Sequence, residues 1–199
     1  MDRRLKPIAK LARVLLLIIW AAVILFAIAF FIASPERFTA ANIAAFIRNF
    51  EAEIWLIFLG ISALRGFTLL PSTPLILAGT MLYPNQPWLV LTISLAGILI
   101  SSSLIYFCSE ALGFDDHFQR KMPDAVVSIR SRLEHPWGLA FVALWAFFPL
   151  VPTDAVCYVA GTIRMNFIKF IAAVFAGEFV LCALYIFFGG SVLKWLSLA

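Results

Sequence analysis

From Ile54 to Ser109 the chain carries a single formal charge, Arg65, in 56 residues. Folded domains in water average about a quarter charged residues, so a run this long and this apolar has no place in a soluble core. The whole chain repeats the pattern: of 199 residues, 63% are hydrophobic and 13% charged, with 20 Phe and 6 Trp. The bilayer is the solvent that accepts so much apolar surface. At about 20 apolar residues per crossing, the length allows at most about six membrane segments and leaves no separate catalytic domain in water. The fold class expected is an all-α integral membrane protein.

The uncharged residues 14 to 33 are long enough to span and too long for a signal-peptide core, and Pro35 after Ser34 is a poor cleavage context. With the basic residues Arg3, Arg4, Lys6, Lys10 and Arg13 before them, residues 1 to 34 read as a basic N-terminus and signal-anchor helix. Residues 35 to 53 open on a Ser-Pro-Glu helix start and put Phe38, Ile43, Phe46, Ile47 and Phe50 at helical spacing, which predicts an amphipathic helix at the interface. Residues 54 to 190 form the main membrane domain, followed by a tail over 191 to 199. Clean spans are expected at 88 to 108 and 167 to 189. In the first of these, Gly97 and Ser101 set a small-xxx-small face for close helix packing. Residues 110 to 136 are a charged connection.

Two further apolar segments, 54 to 83 and 137 to 161, share one design. Each has an apolar arm, a Pro-x-x-Pro break and a second short arm ending in Ala-Gly: Pro71 and Pro74 then Gly79, Pro149 and Pro152 then Gly161, 78 residues apart. Proline removes a backbone donor and clashes with the preceding turn, so each pair ends one helix and starts another. Each segment then reads as a re-entrant helical hairpin. Charge counting agrees. With both hairpins re-entering and the N-terminus cytoplasmic, eleven cations lie inside and three outside. With both crossing, the split is seven against seven, Arg65 being left out of both counts. The hairpins would enter from opposite faces as an inverted repeat, an arrangement whose binding sites lie where broken half-helices meet.

The run from Arg65 through Pro71, Ser72, Thr73 and Pro74 to Ala78-Gly79, with Phe148-Pro149-Leu150-Val151-Pro152-Thr153-Asp154, Tyr158, Ala160-Gly161 and Phe167, resembles the DedA/VTT-domain superfamily, the SNARE-associated Golgi protein family. The resemblance covers roughly residues 50 to 190. It implies two re-entrant hairpins and a lipid translocase, a flippase or scramblase that moves phospholipids or undecaprenyl phosphate between leaflets. It also implies frequent dependence on the proton-motive force and, for a bacterial member, a place in the inner cell membrane. In one respect the chain departs from the family pattern: where relatives usually carry an arginine three residues before the first proline of the second hairpin, this chain has Ala146.

Among candidate site residues, Arg65 is expensive in hydrocarbon unless it faces a cavity, a carboxylate or a lipid phosphate, and its planar fork suits phosphate. Snorkelling to the interface is the plain alternative. Glu178 lies eleven residues from either end of the last span. A carboxyl group at that depth is cheapest when it holds a proton or meets a cation, which makes Glu178 the expected proton carrier and Arg65 its expected partner. Asp154 is the second candidate for coupling to protons or ions, although a carboxylate there also suits a helix start, as Thr73 does before Pro74. Ser72, Thr73, Thr153, Tyr158 and Arg164 complete the expected headgroup or substrate site, with Arg164 equally readable as a topology charge. Ser101, Ser102 and Ser103 read as packing residues.

No enzyme signature is present: no G-x-S-x-G elbow, no H-E-x-x-H, no Walker loop. The two histidines, His117 and His135, fall in the charged connection. The odd cysteines Cys108, Cys157 and Cys182 lack ligand spacing, so neither metal nor cofactor is expected. The net charge of +4 resides in the N-terminal cluster rather than in a stripe interleaved with aromatics, which sets nucleic acid aside. The expected partners are membrane lipids with anionic phosphate headgroups, and homo-oligomerisation stays open. Three function classes remain on the sequence: lipid translocase, proton-coupled ion or small-solute transporter, and non-transporting envelope or membrane-assembly factor.

Overall fold

The computed structural model describes residues 5–50, 53–111, 123–149 and 151–189, and these are helical, with no strand among them. Helix α1 (Leu5–Ala33) carries the first apolar run. What the sequence suggests as one amphipathic helix is a 3₁₀ turn, Pro35–Phe38, followed by α2 (Ala40–Arg48). The restart occurs at Thr39, whose extended backbone and Oγ1, accepting from the Asn42 N–H at 3.3 Å, make a standard N-cap. Helix α2 turns Ala44 and Ile47 inward onto α4. At its other end Arg48 Nη2 donates to the Met81 carbonyl (2.7 Å), where a cation at a helix C-terminus is favourable.

Both proline-paired segments are broken where expected. The first comprises α3 (Ile54–Arg65), a 3₁₀ turn Gly66–Thr68, and α4 (Thr73–Leu82). The second comprises α7 (Pro136–Phe147) and α8 (Thr153–Thr162). Each first arm has 12 residues and each second arm 10, or about 15–18 Å of helix, roughly half of a hydrocarbon core about 30 Å thick. The two long elements between and after them are α5 (Pro87–Ala111) and α9 (Phe167–Ala183), the latter extended by a π-helical turn, Leu184–Phe188. Pro87–Ser109 and Phe167–Phe188, with 23 and 22 residues, are the two candidate membrane spans among the described residues. The charged connection is not all loop: α6 (Pro123–Glu134) packs on α7.

The packing of the two halves follows one scheme. Each first arm lies along the long helix that follows it, α3 on α5 and α7 on α9. The second arms reach across: α8 lies on α5, and α4 touches the π turn beyond α9 as well as α5. Small residues permit the closest approaches. A Cβ on Gly97 of α5 would sit 2.3 Å from Ser62 Cβ of α3, and one on Gly66 would sit 1.9 Å from Ser101 Oγ. The small-xxx-small face of α5 therefore meets a matching pair, Ser62 and Gly66, four residues apart on the other side. The core divides into three clusters, of which the largest gathers Ile105, Tyr106, Val142, Cys157, Phe170 and Val174 between α5, α7, α8 and α9. Outward, Leu25, Phe26 and Ile32 of α1, Trp88 of α5, Leu144 of α7 and Ile168 of α9 are exposed, as befits a surface whose solvent is lipid.

Candidate functional site between the two helix breaks

Helix α4 begins at Thr73, with Pro74 in its first turn and Ser72 as N-cap, while α8 begins at Thr153, directly after Pro152. The two proline pairs are thus offset by two residues relative to the helices they start. A threonine opens each second arm, and Asp154 occupies the register that Pro74 holds in the first. Neither Thr73 nor Ser72 makes a side-chain cap bond, so the capping role read for Thr73 is not realised. Gly79 and Gly161, expected at the ends of the second arms, lie inside their helices, which run on to Leu82 and Thr162, and there Phe58 and the Tyr106 carbonyl crowd against them.

The side chains of Arg65 and Asp154 join the two segments. Arg65 Nη1 donates to Asp154 Oδ2 at 3.0 Å and to the Leu70 carbonyl at 2.5 Å, and the two side chains are 8% and 1% exposed. The partner of Arg65 is therefore Asp154 and not Glu178. Glu178, fully buried on α9, instead accepts the Thr153 hydroxyl on Oε1 at 2.6 Å. The reason is register: Thr153 and Asp154 are adjacent in the first turn of α8 and point about 100° apart around the helix, one toward α9 and the other toward the first break. Among the described residues, Arg65 Nη2 and Glu178 Oε2 are buried without a hydrogen-bond partner. Ser94 Oγ and Ser101 Oγ on α5 are likewise unpartnered, but the two ionisable groups are the costly ones to leave unsatisfied, and both lie beside the ion pair.

A cavity of about 190 Å³ lies between the breaks, lined by Arg65, Ser72 and Thr153 together with Pro71, Pro149 and Pro152. Five expected residues are thus brought together: Arg65, Ser72 and Thr153 at the cavity, with Asp154 and Glu178 bonded to its walls. Thr73 does not line it. The hydroxyl of Tyr158 accepts from Trp20 Nε1 of α1 at 2.7 Å, with the rings edge to face. Arg164 is exposed beyond the end of α8, in the left-handed region at φ 51°. There its N–H bonds to the Gly161 carbonyl and that of Met165 to the Ala160 carbonyl, a Schellman turn that places an arginine where glycine is favoured.

Sequence reasoning missed the Leu70 carbonyl as an acceptor for Arg65, because a backbone group carries no sequence signal. It also missed Trp145, whose Nε1 donates to the Pro152 carbonyl at 3.3 Å across the second break. Ala146 is fully buried, and a Cβ on Gly177 of α9 would stand 2.8 Å from its own. No arginine fits at that contact. Among the described residues, no group of three or more His, Cys, Asp or Glu side chains forms a metal site.

Two helices of membrane-spanning length, broken apolar segments and a buried ion pair joining the breaks are the features of a helical membrane protein. The VTT domain family model matches residues 70–191, which include both breaks and both long helices, and the chain belongs to this DedA domain family. Neither the comparison with curated proteins nor that with solved structures finds a match.

Proposed function

We propose that this protein moves a phosphate-bearing lipid, such as undecaprenyl phosphate or a phospholipid, from one leaflet to the other, with protons as the coupled ion. The observation that carries this reading is the Arg65–Asp154 pair at the wall of the cavity between the breaks, with Arg65 Nη2 left unpartnered. The unpartnered Nη2 can take one phosphate oxygen, and two-point recognition follows once the lipid displaces Asp154 from Nη1. A proton arriving on Asp154 frees Arg65 for the phosphate, and Glu178, with its free Oε2, is the second carrier on the opposite side of Thr153. Both segments act as re-entrant hairpins from opposite faces, since arms of half-bilayer length suit a dip and return. The basic N-terminus is cytoplasmic, in a cell membrane. No bond of the substrate is broken, so the protein is a carrier rather than an enzyme. Membership in a membrane family commonly linked to lipid or solute transport supports the reading.

The test is reconstitution into vesicles with leaflet-selective labelled lipids. The wild-type chain should equilibrate a labelled anionic phospholipid across the bilayer faster when a proton gradient is imposed. Glu178→Gln should keep lipid binding but lose the response to the gradient, and Arg65→Ala should lose binding. Vesicles that move inorganic phosphate and leave the lipid label in place would favour the solute-transporter reading.

A further inference from the structure

A second cavity, about 640 Å³, lies on the other side of Arg65 beneath α1 and α2. Its walls are hydrocarbon and aromatic: Phe30 and Phe31 of α1, Phe38 of the 3₁₀ turn, Phe46 of α2, and Ile61 and Leu64 of α3. Arg65, Leu70 and Pro71 line both this groove and the cavity between the breaks, so the two spaces adjoin at these three residues. The charged side chains that line the groove among the described residues are both cationic, Arg65 and Arg37, and no carboxylate borders it. Its other polar side chains already have partners: Asn42 Nδ2 donates to the Glu36 carbonyl and Thr68 Oγ1 to the Arg65 carbonyl. Arg65 is more than nine-tenths buried and keeps Nη2 unpartnered.

We infer that this groove is the chain-binding half of an amphiphile site: it holds one hydrocarbon chain of an anionic phosphate lipid drawn from the surrounding bilayer, whose phosphate rests on Arg65. The inference rests on the headgroup reading of Arg65 given above. The groove volume falls within the range that encloses a small-molecule ligand, about 300–1,000 Å³, so it takes one chain and leaves the rest of a multi-chain lipid in the membrane. Asp154 balances Arg65 until the lipid displaces it, so Arg37 and the released Arg65 are the charges that complement a net negative headgroup, and the groove lining offers no carboxylate to the cation of a zwitterionic one. Helix α2 is a fixed wall for this site, held by the Thr39 cap and by Arg48 on the end of α4.

The experiment uses the full chain in phosphatidylcholine vesicles containing a trace of phosphatidic acid with a diazirine midway along one acyl chain. After irradiation, adducts are mapped by peptide mass spectrometry. Adducts are expected on the peptides carrying Phe38 to Phe46 and Ile61 to Leu64. Unlabelled phosphatidic acid should remove them and excess phosphatidylcholine should not. Arg65→Ala should lose the groove adducts while those on the outward residues Ile168 and Phe179 persist, which also reports that the variant is inserted. Ile61→Trp fills the groove and should lose the same adducts with Arg65 intact. Leu64→Trp repeats that test should Ile61→Trp fail to fold. Adducts confined to outward faces, or groove adducts of equal yield from a diazirine phosphatidylcholine, would overturn the inference. Groove adducts without transbilayer movement would leave the chain site standing and sink the translocase reading; movement without groove adducts would do the reverse.

Discussion

At the scale of single residues, Arg65 was legible because it stands alone in an apolar run, and Glu178 because it is centred in a span. Which carboxylate meets the arginine was not legible, since Asp154 lies 89 residues away and only the docking of α8 on α5 brings it to the first break. Burying a charge pair is costly, and removing one partner leaves the other charge stranded. Arg65→Ala is therefore expected to destabilise the protein by about 3–5 kcal/mol, whereas the double change of Arg65→Leu and Asp154→Leu should restore most of that stability without restoring lipid transport. Denaturant unfolding in micelles beside the vesicle assay checks both outcomes. A double variant as unstable as Arg65→Ala alone would show that the pair is not an isolated unit.

At the scale of elements, proline spacing located both breaks to within a few residues, because proline acts through local sterics and a missing donor. The helix starts shifted relative to the prolines because Pro74 fits inside a first turn while Pro152 precedes one. Changing Pro149 and Pro152 together to Ala should let α7 run on toward α8, close the cavity and abolish transport while the protein still inserts. Full transport by a well-inserted double variant would make the break incidental. The junction of α6 with α9 is a separate element-scale device. Glu134 Oε1 accepts from Arg130 Nε (3.0 Å) and from the Asn166 N–H (2.9 Å), and these bonds hold its carboxyl below its ordinary value of 4.5. A carboxyl lowered in the fold contributes stability above its ordinary value and loses it as pH falls through the lowered one. The hydrogen-exchange protection factor of the Asn166 amide should therefore hold at neutral pH and collapse only in acid. Glu134→Gln should lower it at neutral pH, and an unchanged factor in that variant would dismiss the link.

At the scale of the whole molecule, four arms of half-bilayer length and two candidate spans must satisfy one topology. If α1 crosses as a signal anchor and both broken segments dip and return, two crossings, α1 and α5, put the connection carrying α6 on the side of the N-terminus. Single cysteines placed at Ser128 and in the N-terminal basic cluster, on a background lacking Cys108, Cys157 and Cys182, should then react with an impermeant maleimide from the same side of the membrane. Reaction from opposite sides would require full crossings and end the hairpin reading.

The sequence by itself determined the apolar character of the chain, the approximate places of the two long helices, α5 and α9, the proline-paired helix interruptions and the family, because hydropathy and proline sterics act within a turn or a span. It also marked the Gly97 and Ser101 face, since small residues spaced four apart have a packing meaning wherever they fall in a lipid-facing helix. Tertiary structure alone decided the pairing of Arg65 with Asp154, the retention of Tyr158 by Trp20, the division of residues 35 to 48 into a turn and a helix, and the groove under α1 and α2. These depend on which faces of separate helices meet. That is set by long-range packing of small against small and aromatic against aliphatic, and no local pattern encodes it.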